Sequence, residues 1–326
     1  MGLYYLTEAE VQSVLTMDLA ISAVEASFKK MAVEEATNIP RQRCQTDNAM
    51  LHVLPASAKT LQALGLKAYT TGKFDAQFYL FLFDPNKGGL TAIVEADHLG
   101  AMRTGASSGV ATSKLAREDS STVGLFGTGK QARTQLAAVT KVRHIKSVDV
   151  YGRDVAKREQ FAKEMSAVLG IEVNPANTAE QTARDKDIVI TATTSRDPVL
   201  HGEWLRAGTH LNIMGSNHLT KAEVDVATIT HCPGPGRVWR LQTSPRRKQA
   251  ALEQREGTGP AARRSLPGPG EGFGHHHVQI AGPRHPGHRR GRARGGVGQA
   301  TRAGANSGYL KLRFPSSGNL TKYTHD

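Results

Sequence analysis

Four stretches of this 326-residue chain carry residue types that could do chemistry. GLFGTGKQA places Gly127, Gly129 and Ala132 between an apolar run and a helical pattern. There, backbone N–H groups and a helix N-terminus can hold a pyrophosphate, although the same spacing also suits a tight structural turn. GLKAYTT sets Lys67 in an otherwise apolar strand, where an ammonium is costly without a partner. GFGHHHVQI and RRGRARGG offer three adjacent histidines, His275 to His277, and a run of arginines. Consecutive histidines splay apart, so they make at best an adventitious metal site and no metal is expected. The arginine tract could adhere to nucleic acid nonspecifically.

The elements that must position these residues follow from periodicity. LTEAEVQSVL opens with a capping-box pattern, Thr7 to Glu10, and Ile21, Val24, Phe28 and Met31 repeat at helical spacing, predicting two amphipathic helices. LHVLPASA, LGLKAYTT and AQFYLFLFDPNKGGLTAIVEA predict strands, the last a hairpin about DPNKGG. HLGAMRTGASSGVATSKLA predicts a helix of small residues able to approach another backbone or a ligand closely. From Thr122 onward TVGLFG, SVDVYG, DIVITAT and HLNIMG alternate with helical stretches, the pattern of a parallel sheet. The expected fold is α/β: an α+β substrate-binding and dimerisation domain over residues 1–117, then a Rossmann-type dinucleotide-binding domain over 118–230. Beyond the second strand of that domain stand Gly152, Arg153 and Asp154. An acid at this place accepts from ribose hydroxyls in NAD sites, whereas Arg153 would meet a 2′-phosphate, so the NAD(P)(H) reading leans to NADP(H).

Charge and composition divide the chain differently. Net charge is +13, yet residues 1–230 hold 25 basic and 25 acidic side chains and residues 231–326 hold 17 and 4. The last segment is rich in glycine and proline and poor in aliphatics, so it is expected to be largely disordered. Two cysteines, Cys44 and Cys232, are too few for a disulfide framework. Without a long apolar run or a signal-peptide pattern at MGLYYLTEAEV, no membrane association and a cytoplasmic location are expected.

PRQR, LHVLPA, GLKAYTT, LGAMRTGASSGVA, GTGKQARTQL, ITATTSRDPVL and GTHLNIMGSN, in this order, resemble the ornithine cyclodeaminase/mu-crystallin family from residue 1 to about 230. The resemblance implies a homodimer that moves a hydride between a nicotinamide and a carbon bearing an amino or imino group beside a carboxylate. It implies that Arg41 and Arg103 hold the carboxylate of a small amino or imino acid, because guanidinium forks pair with it. Lys67 would contact the same end and relay a proton or polarise the C=N bond. Gly127, Gly129, Lys130, Gln131 and Ala132 would bind the cofactor with Arg153, and Thr193 and Met214 would line the nicotinamide. The cyclodeaminases carry an Asp in the loop after the HLNIM strand, and Asn217 stands at the matching catalytic position. An amide cannot perform that proton transfer. An imine reductase or amino-acid dehydrogenase is therefore preferred over an ornithine cyclodeaminase, with His218 a lesser candidate for the proton.

The resemblance stops at about Thr230. Read one nucleotide later with permitted synonymous codons, His275 to Arg292 become ITMFKSQGLAIQDIAVAG, matching the closing segment this family otherwise carries. The basic tail, 231–326, thus reads as a shifted frame, and the Rossmann sheet is expected to lack its edge strand. The other class of reading, a nucleic-acid-binding protein acting through the tail, rests on the arginine tract alone.

Overall fold

The computed structural model describes residues 2–215 and 221–230, and the backbone of 238–240. The first part runs β1 (Tyr4–Leu6), α1 (Glu8–Val14), α2 (Met17–Ala32), β2 (Ala36–Asn38), β3 (Gln42–Gln45), β4 (Ala49–Ala58), β5 (Ala63–Gly72), β6 (Phe78–Phe83), β7 (Leu90–Glu95) and α3 (Asp97–Leu115). The second runs β8 (Thr122–Phe126), α4 (Lys130–Val142), β9 (Ser147–Tyr151), α5 (Val155–Leu169), β10 (Glu172–Pro175), α6 (Ala179–Ala183), β11 (Ile188–Thr191), β12 (His210–Ile213), α7 (Val226–Thr230) and β13 (Val238–Arg240).

The seven-stranded sheet is ordered β1-β7-β6-β5-β4-β2, with β3 also on β4. Its strands pair antiparallel except β1, which lies parallel to β7. The capping box forms as expected: the Thr7 hydroxyl accepts from the Glu10 N–H at 3.4 Å and the Glu10 carboxylate accepts from the Thr7 N–H at 2.8 Å. Short β1, β2 and β3 were not among the expected strands, because three or four residues are too few to show an alternation.

The second sheet is ordered β10-β9-β8-β11-β12-β13, parallel throughout. Numbered within its own half this is 3-2-1-4-5-6, the doubly wound order whose reversal between β8 and β11 opens a ligand crevice. One expectation is corrected: an edge strand is present beyond residue 230, because Val238–Arg240 pairs parallel with Leu211–Ile213. The open edge of β12 presents N–H and C=O groups to any extended backbone, and Val-Trp suits a strand. His275–His277, the arginine tract and most of the basic tail lie outside the described residues, as do Asn217 and His218.

The helix α3 joins the two halves. Residues Thr104 to Thr112 are all buried. A Cβ at Gly105 would sit 2.3 Å from the Thr134 carbonyl oxygen, so only glycine permits this approach to α4. The Gln135 amide, fully buried, donates to the Thr104 carbonyl at 3.2 Å, and Asn212 on β12 donates to the Thr112 hydroxyl at 3.0 Å. The run of small residues is thereby explained by helix packing.

Candidate functional site

The three cations singled out in the sequence arrive from three different elements. Lys67 is in mid-β5, Arg103 in the second turn of α3, and Arg41 between β2 and β3, directly after Pro40. All three line one cavity of about 450 Å³, together with aliphatic and aromatic side chains that include Phe28, Leu54 and Leu80. Lys67 is flanked across the strands by Leu54 and Leu80. Burial pushes its ammonium down to about 8, Arg103 and Arg41 push in the same direction, and Asp97 pulls partly back. Arg103 is depressed by the protein around it and then by Arg41, with Tyr69 opposing, although part of its side chain remains exposed to solvent. A guanidinium stays charged under such pressure, so the site holds two fixed positive charges and one lysine that titrates near neutrality.

A row of rings runs beneath the cations. His52, Tyr69 and Phe78 pair directly across β4, β5 and β6. His52 stacks on Tyr69 with centroids 4.4 Å apart and planes 9° from parallel, and Phe78 tilts against Tyr69 at 4.8 Å. Burial lowers the His52 imidazole, reinforced by Arg41 and Arg43, which keeps it neutral beside the cations. Its Nε2 lies 2.9 Å from the Thr71 hydroxyl. Neither His52 nor Tyr69 was expected from the sequence; the signal was their shared two-residue period with Lys67 and Thr71, legible only once the register of β4 on β5 is known.

The glycine turn lies at the crevice of the parallel sheet. Gly127 has φ +108°, and a Cβ there would be 2.4 Å from the Ala192 carbonyl oxygen after β11. Gly129 is the N-cap of α4 without a side-chain cap, and a Cβ on it would meet nothing within 4 Å. The space beside Gly129 at the N-terminus of α4 is therefore open, as a pyrophosphate cradle requires. Ala132 is fully buried against the sheet, and Gln131 is half-buried beside it. Lys130 is turned to the other half of the molecule, where its ammonium pairs with Asp97 at the start of α3. At the end of β9, Arg153 is exposed while Asp154 is the N-cap of α5, accepting from the Lys157 N–H at 3.1 Å.

Thr193 and Met214 follow the neighbouring strands β11 and β12. One carboxylate fastens both strand ends. Glu223, fully buried, accepts from the Thr191 hydroxyl at 2.8 Å, the Thr193 N–H at 2.5 Å, the Thr193 hydroxyl at 2.7 Å, and the Gly215 N–H. The Met214 N–H donates to the Thr191 carbonyl at 2.8 Å and its sulfur accepts from Ser108 of α3 at 3.5 Å. Sequence reading passed over Glu223, whose only sign was an acid set between Ala222 and Val224.

Sheet order, glycine turn and cationic cavity together define an oxidoreductase of the Rossmann type. The chain belongs to the ornithine cyclodeaminase/mu-crystallin family, whose model matches residues 4–232. It is 33% identical to the alanine dehydrogenase of Archaeoglobus fulgidus over 69% of this chain and 70% of that protein. The Δ1-pyrroline-2-carboxylate reductase of Thermococcus litoralis, solved with NADH and L-proline, superposes with a TM-score of 0.66 at 34% identity, covering 69% of this chain and 73% of that one. An archaeal alanine dehydrogenase dimer with bound NAD gives a TM-score of 0.66 at 31% identity, over 70% and 72% of the two chains.

Proposed function

We propose that this protein is a nicotinamide-dependent imine reductase or amino-acid dehydrogenase acting on a small amino or imino acid. The convergence of Arg41, Lys67 and Arg103 on one cavity carries this reading. Two permanent guanidinium groups suit a carboxylate, and Lys67, with its pKa near 8, can hold or release a proton at the adjacent nitrogen near neutral pH. The nicotinamide, when bound, supplies or takes the hydride. The turn at Gly127 and Gly129 and the N-terminus of α4, opened by Lys130, Gln131 and Ala132, would hold the cofactor's pyrophosphate, and Thr193 and Met214, at the ends of β11 and β12, would line its nicotinamide. The relatives solved with NADH and NAD support such a cofactor. The lean to NADP(H) rests on exposed Arg153 and on Asp154 being taken up as a helix cap.

Ornithine cyclodeaminase activity is disfavoured. Asn217 lacks the acid the reaction needs, and among the described lining residues of the cavity there is no carboxylate to receive a second ammonium. A homodimer is supported by the sheet face carrying Val53, Leu66, Ala68, Tyr79, Phe81 and Ile93, which are only half-buried, and by the dimeric alanine dehydrogenase. Among the described residues no helix is long and apolar enough to cross a membrane, in keeping with a cytoplasmic place for this chemistry.

The test is a set of assays with the full chain, following nicotinamide absorbance with NADPH or NADH against Δ1-pyrroline-2-carboxylate, pyruvate with ammonia, and ornithine. Turnover of an imine or of pyruvate with ammonia, faster with NADPH, is expected. Absence of turnover together with absence of heat on NADPH or NADH titration would overturn the reading.

A further inference from the structure

The catalytic cavity poses an electrostatic problem. Arg41, Lys67 and Arg103 repel one another, and both arginines depress Lys67. Asp97 is the one acid acting in the opposite direction on Lys67, and it is shared with Lys130. An acid placed among the cations would hold them together but would also neutralise the charge that a substrate carboxylate must find. Tyr69 occupies the position where such an acid would stand. Its ring centroid is 5.1 Å from Lys67 Nζ and 5.7 Å from the centre of the Arg41 guanidinium. Phe78 adds a second face 4.8 Å from Lys67 Nζ.

We propose that Tyr69 is a positioning residue of the substrate site, whose ring face gathers the Lys67 and Arg41 cations without cancelling their charge. The negative face of an aromatic ring attracts a cation without supplying a counter-charge that an arriving carboxylate would have to displace. Neighbouring rings keep Tyr69 in place: His52 of β4 stacks on it at 4.4 Å and Phe78 of β6 is tilted 32° against it at 4.8 Å, and a side chain so held loses no further rotamer freedom when substrate enters. The charged and titratable groups facing this row are Arg41 and Arg43 from the β2–β3 region, Arg103 and Asp97 from α3, and His52 from β4. This role presupposes the carboxylate-binding reading of the cavity, but it can be measured without turnover.

The experiment uses the full-length protein with Tyr69→Phe, Tyr69→Leu, and progressively fluorinated phenylalanine at position 69, which weakens the ring's negative face while keeping its shape. Two quantities are read. One is the titration of Lys67, from competitive acetylation across pH followed by mass spectrometry. The other is the affinity for pyrrole-2-carboxylate, a planar anionic probe. Tyr69→Phe should leave both within about twofold, since the face is retained. Tyr69→Leu and the fluorinated series should lower the Lys67 pKa by about half a unit or more and weaken the probe about three- to tenfold, in step with fluorination. If Tyr69→Leu fails to fold, the fluorinated series decides alone. A Lys67 titration unchanged by fluorination, or an equal loss in Tyr69→Phe, would overturn the role of the face. Wild-type protein that titrates as expected at Lys67 but does not bind the probe would instead overturn the carboxylate reading.

Discussion

The two sheets of this protein bury their residues very differently. In the parallel sheet β11 and β12 are buried at every residue, and the surrounding core of Val123, Leu125, Leu136, Phe161 and Ile190 is fully buried. In the seven-stranded sheet β4 has two buried positions, His52 and Ala58, and β5 has none. None of the three apolar core clusters of the described residues includes a strand of that sheet. The parallel half holds the buried core and the glycine turn at Gly127 and Gly129, and the mixed half carries the cations of the cavity. Stability and chemistry are thus assigned to different layers, joined through α3. That separation accords with the cost of burying charge: a lysine tuned by partial burial cannot sit in a fully dry core.

The largest expected consequence concerns packing. Phe161→Ala should cost about 3–5 kcal/mol by chemical denaturation, because the side chain is fully buried. Phe81→Ala, on the half-buried face of the other sheet, should cost about 1 kcal/mol in dilute solution and progressively more as concentration rises, if that face meets a second copy. Equal losses at both positions would break the comparison.

Next in size is acid sensitivity, which should belong to the parallel half. Burial alone would raise the Asp187 carboxyl, but the Ser121 and Thr122 N–H groups, the Thr122 hydroxyl and Arg117 outweigh it and hold it down to about 2. Its contribution of about 2 kcal/mol is present above the ordinary aspartate pKa and lost as pH falls toward 2. Asp187→Asn should remove this acid limb from a stability-against-pH curve.

The mixed half should respond at the alkaline end, where stability again rises with pH, here because a penalty fades. Lys67 is depressed from 10.5 to about 8, so the penalty for burying its ammonium is fully present below pH 8 and fades as pH rises toward 10.5. Lys67→Met should abolish turnover yet stabilise the fold at neutral pH by about 1 kcal/mol, discounted for its partial access to solvent. Loss of both activity and stability would indicate that the lysine is a structural group. Smallest of all, Asp97→Asn breaks an ion pair whose partners are about half exposed, and should change stability by less than about 1 kcal/mol in denaturant melts.

Much of this organisation was legible in the chain. Four strands of the parallel half, β8, β9, β11 and β12, followed from alternation with helical stretches, whereas the four-residue β10 did not, and the turn at Gly127 followed from glycine spacing, because these signals are local. The capping box at Thr7 and Glu10 was legible for the same reason. Missed were the short strands β1 to β3, the edge strand at Val238–Arg240, Glu223 and the ring row. Each depends on a partner distant in sequence: Tyr4 pairs with Ala92, Val238 with Leu211, and Glu223 reaches back to Thr191. Thr193 and Lys130, both candidate cofactor contacts, also meet Glu223 and Asp97, partners no local pattern reveals.

Sequence alone determined the periods, the turns and the residue types: a glycine where φ is positive, guanidinium groups able to fork onto a carboxylate, a lysine among aliphatics. Those are properties of single residues and near neighbours, set by sterics and side-chain chemistry. Tertiary structure decided that Arg41, Lys67 and Arg103 share one cavity, that a tyrosine stands among them, and that the lysine titrates near 8. Electrostatic interaction depends on distance and on the water excluded between groups, and neither exists until strands more than a dozen residues apart are laid side by side.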